Sequence, residues 1–77
     1  MFENLLSIVV DVLHLSPDQV KDITYDTNLV VDLDVDSLDV VEISMSVEDV
    51  FEIEVDDEEV ERWKTIGDII ETIENNI

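Results

Sequence analysis

The sequence predicts an all-α fold: a small bundle of three main helices plus one short helix, with a long loop between the first and second helices. Three observations carry that expectation. Apolar residues recur at helical spacing in three separate stretches. Residues that cap helix starts stand ahead of the later stretches. Only one segment reads as a strand, and a strand without a partner leaves its backbone polar groups unsatisfied.

The first helix is expected over residues 3 to 15, where Asn4, Ser7, Asp11 and His14 form a narrow polar stripe and Leu5, Leu6, Ile8, Val9, Val10, Val12 and Leu13 cover the rest. Pro17 breaks it. Ser16 as N-cap, Pro17 at the first helical position and Gln19 at the third can then open a further turn. From about Asp22 to Val35 the chain reads as a loop pinned by Leu29, Val30, Val31, Leu33 and Val35, with Tyr25 another anchor. The second main helix begins near Ser37 and runs to about Phe51, with Asp36 as N-cap and Asp39 in its first turn. Asp56 or Asp57 caps a short acidic helix that carries Val60 and ends near Trp63, a residue expected to plug the core. Thr65 and Asp68 form a capping-box-like pair before Ile66, Ile69, Ile70, Ile73 and Ile77, whose helical spacing gives the last helix one apolar face.

Composition narrows the function. The chain is 77 residues long, which allows one domain, residues 1–77, and no second. It carries 22 Asp and Glu against 3 Lys and Arg, a formal net charge of −19, yet 45% of it is hydrophobic and its mean hydropathy is +0.13. That is too apolar for an unfolded polyanion. A domain this size gains only about 3–5 kcal/mol from its core, and like charges subtract from it, so the fold is expected to be marginal or steadied by partners and counterions. Nucleic acid and anionic lipid both attract cations, and only Lys21, Arg62 and Lys64 are present. The expected partners are basic proteins or cations, and the expected state is a monomer.

No positively charged leader is visible, because Glu3 follows Met1 and Phe2. No apolar run approaches the ~20 residues of a membrane span, and the expected location is the cytoplasm. Cysteine is absent, which removes disulfides, thiolate zinc sites and cysteine nucleophiles. Gly67 is the only glycine, so no phosphate-cradling glycine loop exists. Ser7 and His14 share a helical face, but nothing nearby supplies an oxyanion hole, and His14 is better placed in the helix's last turn against the macrodipole. Asp32, Asp34 and Asp36 alternate like the first half of a calcium loop. The glycine that such a loop needs at position 6 is Ser37, however, and its bidentate Glu at position 12 is Ile43. No defined metal site is expected, only loosely held divalent counterions.

The second main helix departs from a plain amphipathic pattern. At about 100° per residue, Val40, Ile43, Val47, Val50 and Phe51 share one face, while Leu38, Val41 and Met45 cluster on the other side. The first set is expected in the core. The second, accompanied by Glu42, Glu48 and Asp49, reads as an exposed apolar stripe with an acidic rim, and such a patch on a small domain marks a binding surface.

From position alone Ser37 is a capping serine. The segment Asp32-Leu33-Asp34-Val35-Asp36-Ser37-Leu38-Asp39-Val40-Val41-Glu42, however, closely resembles the attachment motif of acyl carrier proteins. The resemblance extends through the long loop, Met45, the segment Phe51 to Glu59, and the Ile-rich closing helix introduced by Thr65 and Ile66. It implies 4′-phosphopantetheine attached to Ser37 by a phosphopantetheinyl transferase, with acyl chains carried as thioesters on the arm's thiol. It also implies a protein that is not itself an enzyme, and a docking face made of Asp36, Leu38, Asp39, Val41, Glu42, Met45, Glu48 and Asp49 that basic enzymes of fatty acid synthesis recognise.

Asp36 and Asp39 would repel the phosphate and so are expected to serve recognition. The family usually has glycine where this chain has Asp34, and aspartate is among the few residues that tolerate the positive φ glycine permits. A polyketide or aminoacyl carrier keeps the chemistry with other cargo. A rival of another class is an acidic polyanion mimic without a prosthetic group, which explains the charge but neither Ser37 nor the second apolar stripe.

Overall fold

Helix starts in this chain are encoded by residue pairs three apart, and three of them form reciprocal capping boxes in the computed structural model, which describes residues 1–77. Five helices follow in order: α1 (Phe2–Leu13), α2 (Pro17–Lys21), α3 (Ser37–Phe51), α4 (Asp57–Arg62) and α5 (Ile66–Asn76). They hold 64% of the residues, and there are no strands. The all-α bundle is as expected, with two short helices rather than one. The second arises because Ser16 accepts from the Gln19 amide while the Gln19 side chain accepts from Ser16 N at 2.9 Å, enough to start α2.

Two helix ends correct the expectation. α1 closes at Leu13, and His14 is its C-cap in the left-handed region, φ 55°, with its amide donating to Val10 O. His14 therefore lies just beyond the last turn. α5 ends at Asn76, which leaves Ile77 exposed instead of on the packed face. α4 starts at Asp57, and its N-cap Asp56 makes no side-chain cap; Asp57, Glu58 and Glu59 set negative charge against its N-terminal dipole instead.

The core joins Leu5, Ile8 and Val9 of α1, Ile43 and Val47 of α3, and Ile66, Ile69, Ile70 and Ile73 of α5. Trp63 closes it from the α4–α5 junction. Its ring is buried, and its Nε1–H donates to the buried Thr72 Oγ1 at 2.9 Å, so the indole leaves no polar atom unsatisfied.

The long loop is pinned by Ile23, Leu29 and Val35, all buried, with Leu33 half-buried. Val30 and Val31, expected as anchors, face solvent instead. The loop closes on itself there: Val35 N donates to Leu29 O at 2.9 Å and Asp34 N to Val30 O at 3.2 Å, so the two ends of the ring enter the core with Leu33 packed beside them, while Val30 and Val31 point outward. A second set of bonds fastens the loop to the start of α5. Leu29 N donates to Lys64 O, Ile66 N to Thr27 O, and Gly67 N to Tyr25 O at 2.8 Å. A Cβ on Gly67 would stand 3.1 Å from Tyr25 O, which is why the one glycine sits there. Tyr25 does anchor the loop, but from outside the core: its half-exposed ring packs on Phe2 with centroids 5.1 Å apart.

Candidate functional site

The approach to α3 is built residue by residue. Asp34 adopts φ 55°, the conformation that the usual glycine would supply. Val35 then enters the core and Asp36 extends, φ −101° and ψ 179°, as the N-cap. Asp36 Oδ1 accepts from Asp39 N at 2.8 Å, and Asp39 Oδ2 accepts from Asp36 N at 3.3 Å. Both carboxylates thus hold the helix start, a structural role that the sequence assigned to Asp36 alone. Asp32 is occupied too, accepting from Asn28 N at 2.8 Å, so two of the three alternating aspartates, Asp32 and Asp36, hold backbone amides.

Ser37 is the first residue of α3 and is exposed. Its hydroxyl has no partner within the chain. By contrast Ser7 donates to Glu3 O, Ser16 bonds Gln19, and Ser44 donates to Val41 O at 2.7 Å. Ser7 is thereby turned to its own helix and not to His14. Ser46 also lacks a partner but is half-buried in mid-helix. The amides of Ser37 and Leu38 are free at the helix start, because Asp36 takes only the Asp39 and Val40 amides. An oxygen joined to a phosphate at this position meets two open N–H groups and the positive end of the α3 dipole.

Beside it runs the stripe. Leu38, Val41 and Met45 are 64%, 49% and 62% exposed, whereas Ile43 and Val47 on the opposite side are fully buried. Val50, expected in the core, is more than half exposed; at about 100° per residue it lies furthest from the centre of the buried arc. Glu42 and Asp49 stand exposed on the rim, and Glu42 and Met45 border a shallow groove of about 380 Å³ shared with Val12 of α1 and its C-cap His14. Glu48 is different: half-buried, it accepts from Val55 N at 3.0 Å and holds the chain that follows α3. That bond spans seven residues, and no local pattern signals it.

The sequence matches the family described as phosphopantetheine attachment site over residues 3–73, a span that begins in α1 and ends within α5. No curated protein matches it. Domains of this family are carriers, in general non-catalytic, that are modified by phosphopantetheinyl transferases and interact with partner enzymes. The exposed unbonded hydroxyl and the open amides at the head of α3 fit such a group, and no helix is long and apolar enough to cross a membrane. The chain belongs to the phosphopantetheine-attachment family and is a carrier protein bearing a 4′-phosphopantetheine prosthetic group.

Proposed function

We propose that the protein carries acyl chains of fatty acid synthesis on a 4′-phosphopantetheine arm attached to Ser37, and that it presents them to basic enzymes without catalysing a step itself. The observation that supports this most is the Ser37 hydroxyl, exposed and unbonded at the start of a helix whose next turns display Leu38, Val41 and Met45. When bound, the arm supplies a terminal thiol that holds cargo as a thioester. The chain's own residues do the rest. Asp34 and the Asp36–Asp39 capping box fix the backbone from which Ser37 projects, and the open amides of Ser37 and Leu38 favour the phosphate's negative charge.

Docking falls to the stripe, with Glu42 and Asp49 as acidic contacts for cationic partners. Asp36, Asp39 and Glu48 add charge to the same face while their carboxylates hold backbone amides. Charge of −19 acting between copies opposes self-association, consistent with a monomeric carrier in the cytoplasm.

The fatty acid assignment draws on the run Asp36-Ser37-Leu38-Asp39-Val40-Val41-Glu42, which looks most like discrete fatty acid carriers. It is tested by offering the phosphopantetheine-loaded protein to a malonyl transacylase of fatty acid synthesis and, separately, to amino-acid-activating enzymes, with intact mass as readout. Malonyl loading alone is expected. Aminoacyl loading without malonyl loading would assign the other cargo class.

A further inference from the structure

Val30 and Val31 are 62% and 78% exposed, the two aliphatic residues of the long loop that the core does not use. Their presentation is rigid. Both amides donate to Asn28 Oδ1, at 2.9 and 2.8 Å, and Asn28 N is itself held by Asp32 Oδ2. The ring is closed by Val35 N on Leu29 O and Asp34 N on Val30 O. A preorganised apolar pair loses little ordering entropy when a partner covers it, and large apolar groups held in water on a small domain mark contact surfaces.

Connectivity puts the pair beside Ser37. Val30 O is bonded to Asp34 N, three residues before Ser37, so the Val30 and Ser37 Cα atoms lie at most roughly 18 Å apart however the chain bends. A standard interface covers about 800 Å² per partner, a disc of roughly 16 Å radius. A footprint of that size centred on Ser37 therefore has the reach to cover this pair or abut it. Leu38 flanks Ser37 on the other side, and Asp32, Asp34 and Asp36 lie between, so the complementary surface is apolar with a cationic rim.

We propose that Val30 and Val31 are an apolar contact for the phosphopantetheinyl transferase, the one partner that must bring its reacting atoms to Ser37 itself. Enzymes that act at the far end of the arm have no such requirement, and a second copy of this chain is opposed by the like charge of −19 on each. The inference rests on Ser37 being the attachment residue.

The test is the double variant Val30→Thr/Val31→Thr, which keeps β-branched shape and removes apolar character, compared with the unmodified wild-type protein, coenzyme A and a phosphopantetheinyl transferase. A fall of about tenfold in kcat/KM, carried by KM with kcat and melting temperature unchanged, is expected for losing an apolar contact. Unchanged KM would overturn the proposal. So would a wild-type dimer that the double variant abolishes, which would assign the pair to a second copy. Ser37→Ala in the same assay separates the two ideas: if it is still modified, the attachment reading fails. If it is inert and the threonine variant is processed normally, only the Val30–Val31 contact fails.

Discussion

Replacing Glu48 with alanine removes one hydrogen bond that a distant segment depends on. The chain between α3 and α4 has no helix of its own, yet Ile53 and Val55 in it pack half-buried against the core. Glu48 holds it twice. Its carbonyl accepts from the Glu52 and Ile53 amides, which alanine keeps, and its carboxylate accepts from Val55 N at 3.0 Å, which alanine loses. A hydrogen bond to a charged acceptor contributes about 1.5–3 kcal/mol. Water replaces part of it at a half-buried amide, so the lower end applies. Alanine's better helix propensity returns a few tenths of that, roughly 0.4 kcal/mol. The net loss is about 1 kcal/mol, which for a domain of this size lowers the melting temperature by roughly 4–8 °C. Glu48→Gln keeps an acceptor oxygen and should lose about half as much. Thermal and urea unfolding followed by circular dichroism and Trp63 fluorescence measure both. If the alanine variant melts at or above wild type, the carboxylate does not hold the segment. If glutamine falls as far as alanine, the charge and not the hydrogen bond is what counts.

Four further outcomes are expected. His14 and Glu52 close α1 and α3 in the left-handed region at φ 55°, which costs a non-glycine residue about 1–2 kcal/mol, while glycine's greater freedom when unfolded takes back about 0.4–1 kcal/mol. His14→Gly and Glu52→Gly should each raise the urea midpoint slightly at constant slope, and a drop in either midpoint would contradict that strain. Met45→Ala should cost little stability, since the side chain is exposed, but weaken processing by partner enzymes; large destabilisation with unchanged turnover would show the α3 faces reversed. Added salt should raise the melting temperature by screening the net charge of −19 and slow docking to basic enzymes. Glu42→Lys, which exchanges one negative for one positive charge, should leave stability equal or higher while lowering the association rate and its salt dependence. Docking indifferent to both would mean that acidity is not the recognition signal.

What could be read from the sequence was whatever is decided within a turn or two of chain. Thr65 with Asp68 and Ser16 with Gln19 meet three residues apart, and Asp36 stands directly before its helix, so these caps are local facts, and all three form; that Asp39 answers Asp36 was not read. The positive φ at Asp34 was legible through the family resemblance, which usually places glycine there, together with aspartate's own tolerance of that conformation. The exposure of Leu38, Val41 and Met45 followed from helical periodicity around Ile43 and Val47. The misplacements share an origin in long-range packing. Val30 and Val31 are as apolar as Leu29 and Val35, and only the closure of the loop ring decides which pair enters the core. Val50 falls at the edge of an arc whose width is set by neighbouring helices. Glu48 looked like a rim residue because its partner, Val55, lies beyond the end of the helix.

Attachment of the arm depends on one hydroxyl, and intact mass after incubation with coenzyme A and a phosphopantetheinyl transferase reads it directly. Wild type and Ser46→Ala, the latter replacing the other serine whose hydroxyl is unbonded, should each gain one phosphopantetheine. Ser37→Ala should gain none while keeping its helical circular dichroism, since Asp36 still caps α3. Modification of Ser37→Ala, or its loss in Ser46→Ala alone, would contradict the assignment of the arm to the head of α3.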